Sequence, residues 1–179
     1  MALLGPEGMA HLPRQSLIIA AVICAGTGAA AAQRFENERH FGRWYTATMR
    51  DTATNERWPA AVIEDPQQRL ASMRFECKGG RLTVFVQLAY MHGILPDKAH
   101  AVSVRFDKEP PVLQLWTGGD ERRLHPEAGA EAALAKRVME ASEVALRAPR
   151  YGAPPEQDAV FDTRRATEAL SPIVSACKL

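Results

Sequence analysis

Between residues 70 and 77, Ala71, Met73, Phe75 and Cys77 alternate with Ser72, Arg74 and Glu76, the two-residue period of a strand with one buried face. Lys78-Gly79-Gly80 turns the chain. The next run, 81–91, places Leu82, Val84, Val86, Leu88 and Tyr90 on one face, while its other face also carries Phe85, Ala89 and Met91. A strand apolar on both faces belongs inside a sheet covered on both sides, and the Gly-Gly link makes the two runs a hairpin. Val102, Val104 and Phe106 alternate within 101–107, Glu109-Pro110-Pro111 interrupts the ladder, and 112–117 forms a second hairpin with it, closed at its far end by Gly118-Gly119-Asp120. Upstream, 44–50 and 60–64 read as strands around a polar connection with Asp51, Thr54 and Asn55. The runs 143–147 and 159–161 read as shorter strands, separated by a loop holding Gly152, Pro154 and Pro155.

Two segments keep a helical period instead. Ala130, Ala133, Leu134, Val138 and Ala141 line one stripe of a helix over 129–141, with Lys136 and Glu140 outward. Ala166, Ala169, Leu170, Ile173, Val174 and Cys177 follow i, i+3, i+4 spacing to the C-terminus, with Asp162 and Thr163 as candidate caps. Pro172 interrupts that stripe, so either the helix kinks or Ser171 recaps a second turn with Pro172 at its first position. Antiparallel hairpins first and helices last predict an α+β fold: a mainly antiparallel sheet or open barrel of about six to eight short strands with two helices, one of them C-terminal. A β-sandwich with peripheral helices is the alternative.

The N-terminus changes the compartment in which this fold must form. A short segment with Arg14, the apolar run from Ser16 to Cys24 and the small residues Ala29–Ala32 read as a signal peptide over residues 1–32, cleaved after Ala32. The apolar run is well short of the roughly 20 residues of a membrane span, and Ile23 before Cys24 argues against a lipoprotein. Met9 offers a more conventional start than Met1. Residues 33–179 then form a single exported domain, periplasmic or secreted, with no membrane span. Loss of Cys24 with the leader leaves one possible disulfide, Cys77 to Cys177, which the oxidising compartment favours.

Composition excludes more than it assigns. The formal net charge of +1 and the scattered basic pairs Arg122-Arg123 and Arg164-Arg165 give no electrostatic footprint for nucleic acid. The sequence has no Gly-x-Ser-x-Gly elbow, zinc-binding helix or phosphate loop. His40, His92, His100 and His125 are scattered without ligand spacing, and they read as solvent-facing or turn residues. Asp107 and Asp162 each follow a Phe at a strand end, where carboxylates cap turns and helices. No catalytic residue, metal ligand or cofactor is assigned. Trp44, Trp58 and Trp116 have the faces to stack on glycan or peptide, although aromatic residues in strands more often pack in a core or at its rim; Trp44 and Trp116, with Gly118, Gly119 and Asp120, make up the candidate binding surface.

The order of a leader, Trp44, Phe75-Glu76-Cys77, a hydrophobic strand, Val104-Arg105-Phe106-Asp107, Trp116 and a closing Phe161-Asp162, helix and Cys177 resembles the periplasmic VasI/TagO-type proteins associated with type VI secretion. That resemblance implies a small exported accessory protein without catalytic chemistry, bound to an envelope protein, with Cys77 and Cys177 as its disulfide. Phe75-Glu76-Cys77-Lys78-Gly79-Gly80 followed by a strand also resembles small periplasmic lysozyme inhibitors. The inhibitory Ser-Gly-x-x-Tyr loop of those proteins has only Thr117-Gly118-Gly119-Asp120 as its counterpart, without the Tyr. An envelope enzyme is the third reading. N-terminal sequencing of protein recovered from the periplasm is expected to begin at or within a few residues of Gln33; recovery of intact residues 1–32 in the membrane fraction would replace the signal with an anchor.

Overall fold

A computed structural model describes residues 33–65, 71–88, 94–119, 123–148 and 159–179. The expected leader, residues 1–32, and Asp120 lie outside the described residues. The alternating runs form β2 (Trp44–Asp51), β3 (Arg57–Glu64), β4 (Ala71–Lys78), β5 (Arg81–Leu88), β6 (Ala99–Phe106), β7 (Val112–Gly118), β9 (Glu143–Arg147) and β10 (Ala159–Asp162). Two further strands, β1 (Gln33–Phe41) and β8 (Arg123–His125), raise the number among the described residues to ten, above the six to eight expected. Neither carries a readable period. β1 is an edge strand rich in Arg and Glu, with a register shift between Glu36 and Arg39 around the left-handed Asn37; charge and a bulge are what keep an exposed edge from pairing further. β8 has three residues, too few for alternation to show. The helices are α1 (Glu131–Glu140) and α2 (Ala166–Cys177).

The strands form one sheet in the order β1-β2-β3-β4-β5-β8-β7-β6-β9-β10, with every pairing antiparallel. This is α+β, a half-barrel rather than a sandwich. The β4–β5 hairpin closes on Gly79 and Gly80 with Lys78 opposite Arg81, both glycines at positive φ, as a two-residue turn matched to strand twist requires. On the concave face Trp44, Ile63, Met73, Val86 and Leu124 face one another across five strands, and Ala61, Phe75 and Val84 form the adjoining row. α2 lies in this concavity against β2, β3, β4 and β5, burying Ala166, Ala169, Leu170 and Ile173. α1 packs on β5 and α2 through Leu134, Ala135 and Val138. At the far edge, buried Asp65 accepts a hydrogen bond from the Val160 amide at 3.1 Å, which draws β10 toward β3 and curls the sheet.

Local chemistry at the helix ends differs from the sequence reading. Neither Asp162 nor Thr163 caps α2: its N-cap is Arg165, in the left-handed region and without a side-chain cap bond. The Asp162 carboxylate instead binds Arg164, whose side-chain hydrogen bond holds its pKa below the usual range, and the Thr163 hydroxyl donates to the Ala141 carbonyl at 2.8 Å, tying α2 to the end of α1. Pro172 lies within α2, exposed, and the helix runs through it without recapping at Ser171. Asp107 does fasten a turn: its Oδ1 accepts from the Ser142 and Glu143 amides at 2.9 and 3.0 Å.

Cys77, at the end of β4, and Cys177, at the end of α2, are joined by a disulfide with their Cα atoms 5.7 Å apart. It closes a loop with a sequence separation of 100 residues. In the chain-entropy model such a closure stabilises the fold by about 4 to 5 kcal/mol. Labelling of unfolded, unreduced protein is expected to find no free thiol at Cys77 or Cys177, and Cys177→Ser to lower stability by an amount of that order. Leu170→Ala, which removes a fully buried side chain from the concave face, is expected to cost about 2 to 5 kcal/mol in denaturant unfolding. A cost near zero would mean that α2 is not seated on the sheet.

Candidate functional site

Of the expected surface, Trp44, Trp116 and Gly118 are buried and Gly119 is half-buried. Trp44 is 0% exposed and packs on Phe75 with ring centroids 5.9 Å apart. Trp116 is 1% exposed, and its Nε1 donates to Gln114 Oε1 at 2.9 Å. Both indoles point into the half-barrel because their strands place large apolar side chains there, so neither stacks on a ligand. Gly118 is buried as well. A Cβ at that position would run into the Leu95 carbonyl and approach His100 Nε2 to 3.0 Å, so this glycine serves close packing. Gly119 lies against the His125 imidazole. The histidines also differ from the expected pattern: His40 is exposed on β1, but His100 is buried with Nε2 3.2 Å from the Leu95 carbonyl, and His125 lies 5.6 Å from the Phe85 ring. His92 lies outside the described residues.

The convex face over β3, β4 and β5 carries a second packed layer. Trp58 is buried, and its Nε1 donates to Glu76 Oε2 at 2.9 Å; Arg74 Nη1 donates to Glu76 Oε1 at 3.1 Å. The Arg74 guanidinium also lies over the rings of Phe35 and Phe85 at 5.1 and 5.2 Å, and Lys78 Nζ sits 4.3 Å from the Trp58 ring. Register brings these groups together: Val62, Arg74 and Phe85 are opposite one another, as are Ala60 and Glu76. Both carboxylate oxygens of Glu76 are thus engaged, so the cluster braces the convex face and presents no acid or base for chemistry. Removing the acceptor strands a buried indole N–H and a guanidinium, so Glu76→Ala is expected to lower stability by about 1 to 3 kcal/mol. Denaturant titration measures this, and an unchanged midpoint would show that the layer is not structural.

An exposed apolar surface lies on β7, beyond the short strand β8. Leu113 and Leu115, at alternate positions of β7, are 70% and 62% exposed, and Val112 is 60% exposed. Beside them runs a groove of about 380 Å³, lined on one side by Leu113, Gln114 and Leu115 and on the other by Pro126, Ala130, Leu134 and Arg137 of the segment leading through α1. Phe106 forms part of its wall, with the Arg137 guanidinium 4.8 Å from its ring and 2.6 Å from Glu109. The lining is apolar with one acid, Glu127, and one base, Arg137, so it suits binding; it brings together no nucleophile and base. Among the described residues no group of three or more His, Cys, Asp or Glu is placed to hold a metal ion. Sequence reasoning missed this site because β7 is apolar on both faces. The bulk of Trp116 settles which face turns inward, and Leu113 and Leu115 are left outside.

No helix among the described residues is long and apolar enough to cross a membrane. No family model and no curated protein matches the sequence. Among solved structures, the chain is similar to invasion associated protein B from Bartonella henselae, with a TM-score of 0.54 and 12% sequence identity over 80% of this chain and 100% of that one. At that identity the likeness shows the fold alone: the half-barrel with its helices is an architecture this chain shares with that protein.

Proposed function

We propose that the chain is a non-catalytic binding protein of the cell envelope, exported to the periplasm or beyond, which serves as an accessory to an envelope machine. Its layout resembles that of proteins associated with type VI secretion. The observation that carries this reading is the exposed apolar edge of β7 beside the groove along α1. Large apolar side chains left in water on a small domain mark an interaction surface. The signal-like leader and the disulfide between Cys77 and Cys177 agree with an oxidising compartment. The lysozyme-inhibitor reading called for an exposed loop at 118–120, whereas Gly118 is buried against Leu95 and His100.

Capture from envelope extracts by protein purified from the periplasm tests the proposal. It is expected to retain a specific envelope protein that excess free protein competes away. Retention of nothing above background would overturn the binding reading, and a hydrolytic activity on envelope polymers lost on changing His100 or His125 would replace it with catalysis.

A further inference from the structure

The groove lies beside a stretch of β7 that β8 leaves unpaired. Among the described residues β8 pairs with β7 only at Thr117↔His125 and Gly118↔Leu124, although β7 continues back to Val112 in unbroken register with β6. The direction of its backbone groups follows from the hydrogen bonds at its end. The Gly118 amide donates to the Lys98 carbonyl and the Gly118 carbonyl accepts from the Asp97 amide, each at 2.8 Å, whereas the Gly119 amide donates to the Arg123 carbonyl on the β8 side. Alternation along an antiparallel strand then turns the N–H and C=O groups of Leu115 and Leu113 toward the groove. β8 does not extend to meet them. Pro126 has no N–H to offer, Gly129 takes φ +90°, and the chain turns away into α1.

Resting on the binding reading above, we propose that this groove takes an extended peptide segment of the partner as an added strand, antiparallel to β7 and continuing the line of β8. Strand addition supplies main-chain bonds for affinity and alternate side-chain pockets for specificity. The charges fix a direction. Glu127 stands at the β8 end of the groove and Arg137 at the end near Phe106 and Glu109. A segment running as β8 runs brings its N-terminal end to Glu127 and its C-terminal end to Arg137. The preferred segment is therefore about five or six residues long, apolar at alternate positions, basic at its start and acidic at its end. The Arg137 guanidinium has five N–H donors, of which Nη2 serves Glu109.

The probe is a pool of synthetic hexapeptides, Lys-Φ-Thr-Φ-Thr-Asp with Φ drawn from Val, Ile, Leu and Phe, titrated against the full exported protein. A charge-reversed pool and a pool N-methylated at alternate backbone positions serve as comparisons. The expected result is saturable binding of the first pool, weakened about tenfold or more, or about 1.4 kcal/mol, by charge reversal, by N-methylation, by Arg137→Glu and by Leu115→Lys. Both substitutions fall on exposed side chains, and unchanged melting shows that they leave the fold intact. No binding by any pool, equal binding of the N-methylated pool, or dimerisation through β7 lost with Leu115→Lys would each overturn the proposal. An envelope protein captured equally by the wild type and both variants would overturn this inference alone and leave the binding function standing.

Discussion

The concave face of the sheet has to be filled, and α2 is what fills it. A half-barrel that turns Trp44, Ile63, Met73, Phe75, Val84 and Val86 to one side exposes too much apolar surface to stand as an open sheet. Leu170 and Ile173 of α2 cover that surface, and each such buried side chain contributes roughly 1.5 to 3 kcal/mol. The Cys77–Cys177 disulfide fixes the end of the helix to the end of β4, so the piece that completes the core cannot diffuse away from it. Thr163 binding to Ala141 and Asp65 binding to Val160 hold the other end of the same arrangement.

Filling the concavity from inside leaves β8 short beside β7. α1 packs beside α2 against β5, and the chain can supply α1 only by leaving the sheet at Pro126. The strand that would have run beside Val112–Trp116 is spent as a helix. The core is complete without it, and β7 keeps an open edge with Leu113 and Leu115 in water. The surface proposed for binding is thus a product of how the core is closed. The convex face over β3, β4 and β5, by contrast, is covered by the Trp58, Arg74 and Glu76 layer.

Where burial imposes a period, the sequence was readable. Cys77 on the inward face of one strand and Cys177 on the stripe of the last helix predicted the disulfide, and alternation located eight of the ten strands. β1 escaped because an edge strand needs charge more than it needs pattern, and β8 because three residues carry no period. The role of the two tryptophans was open for a related reason. Trp44 and Trp116 are large and amphipathic, which suits a binding platform and a core equally. Only the register of the neighbouring strands decides between them, and here it places both among buried side chains. Caps were misread too: Asp162 and Thr163 precede α2, but the left-handed Arg165 lies between them and the helix, so their side chains find other partners.

Native-state hydrogen exchange tests the central role of α2 most directly. If α2 completes the core, the amides of Leu170 and Ile173 in α2 and of Phe75 in β4 exchange only through global unfolding, with one common free energy and the same denaturant dependence. Exchange of the α2 amides at a distinctly lower free energy, while those of β4 stay protected, would show instead that the sheet stands without its helix.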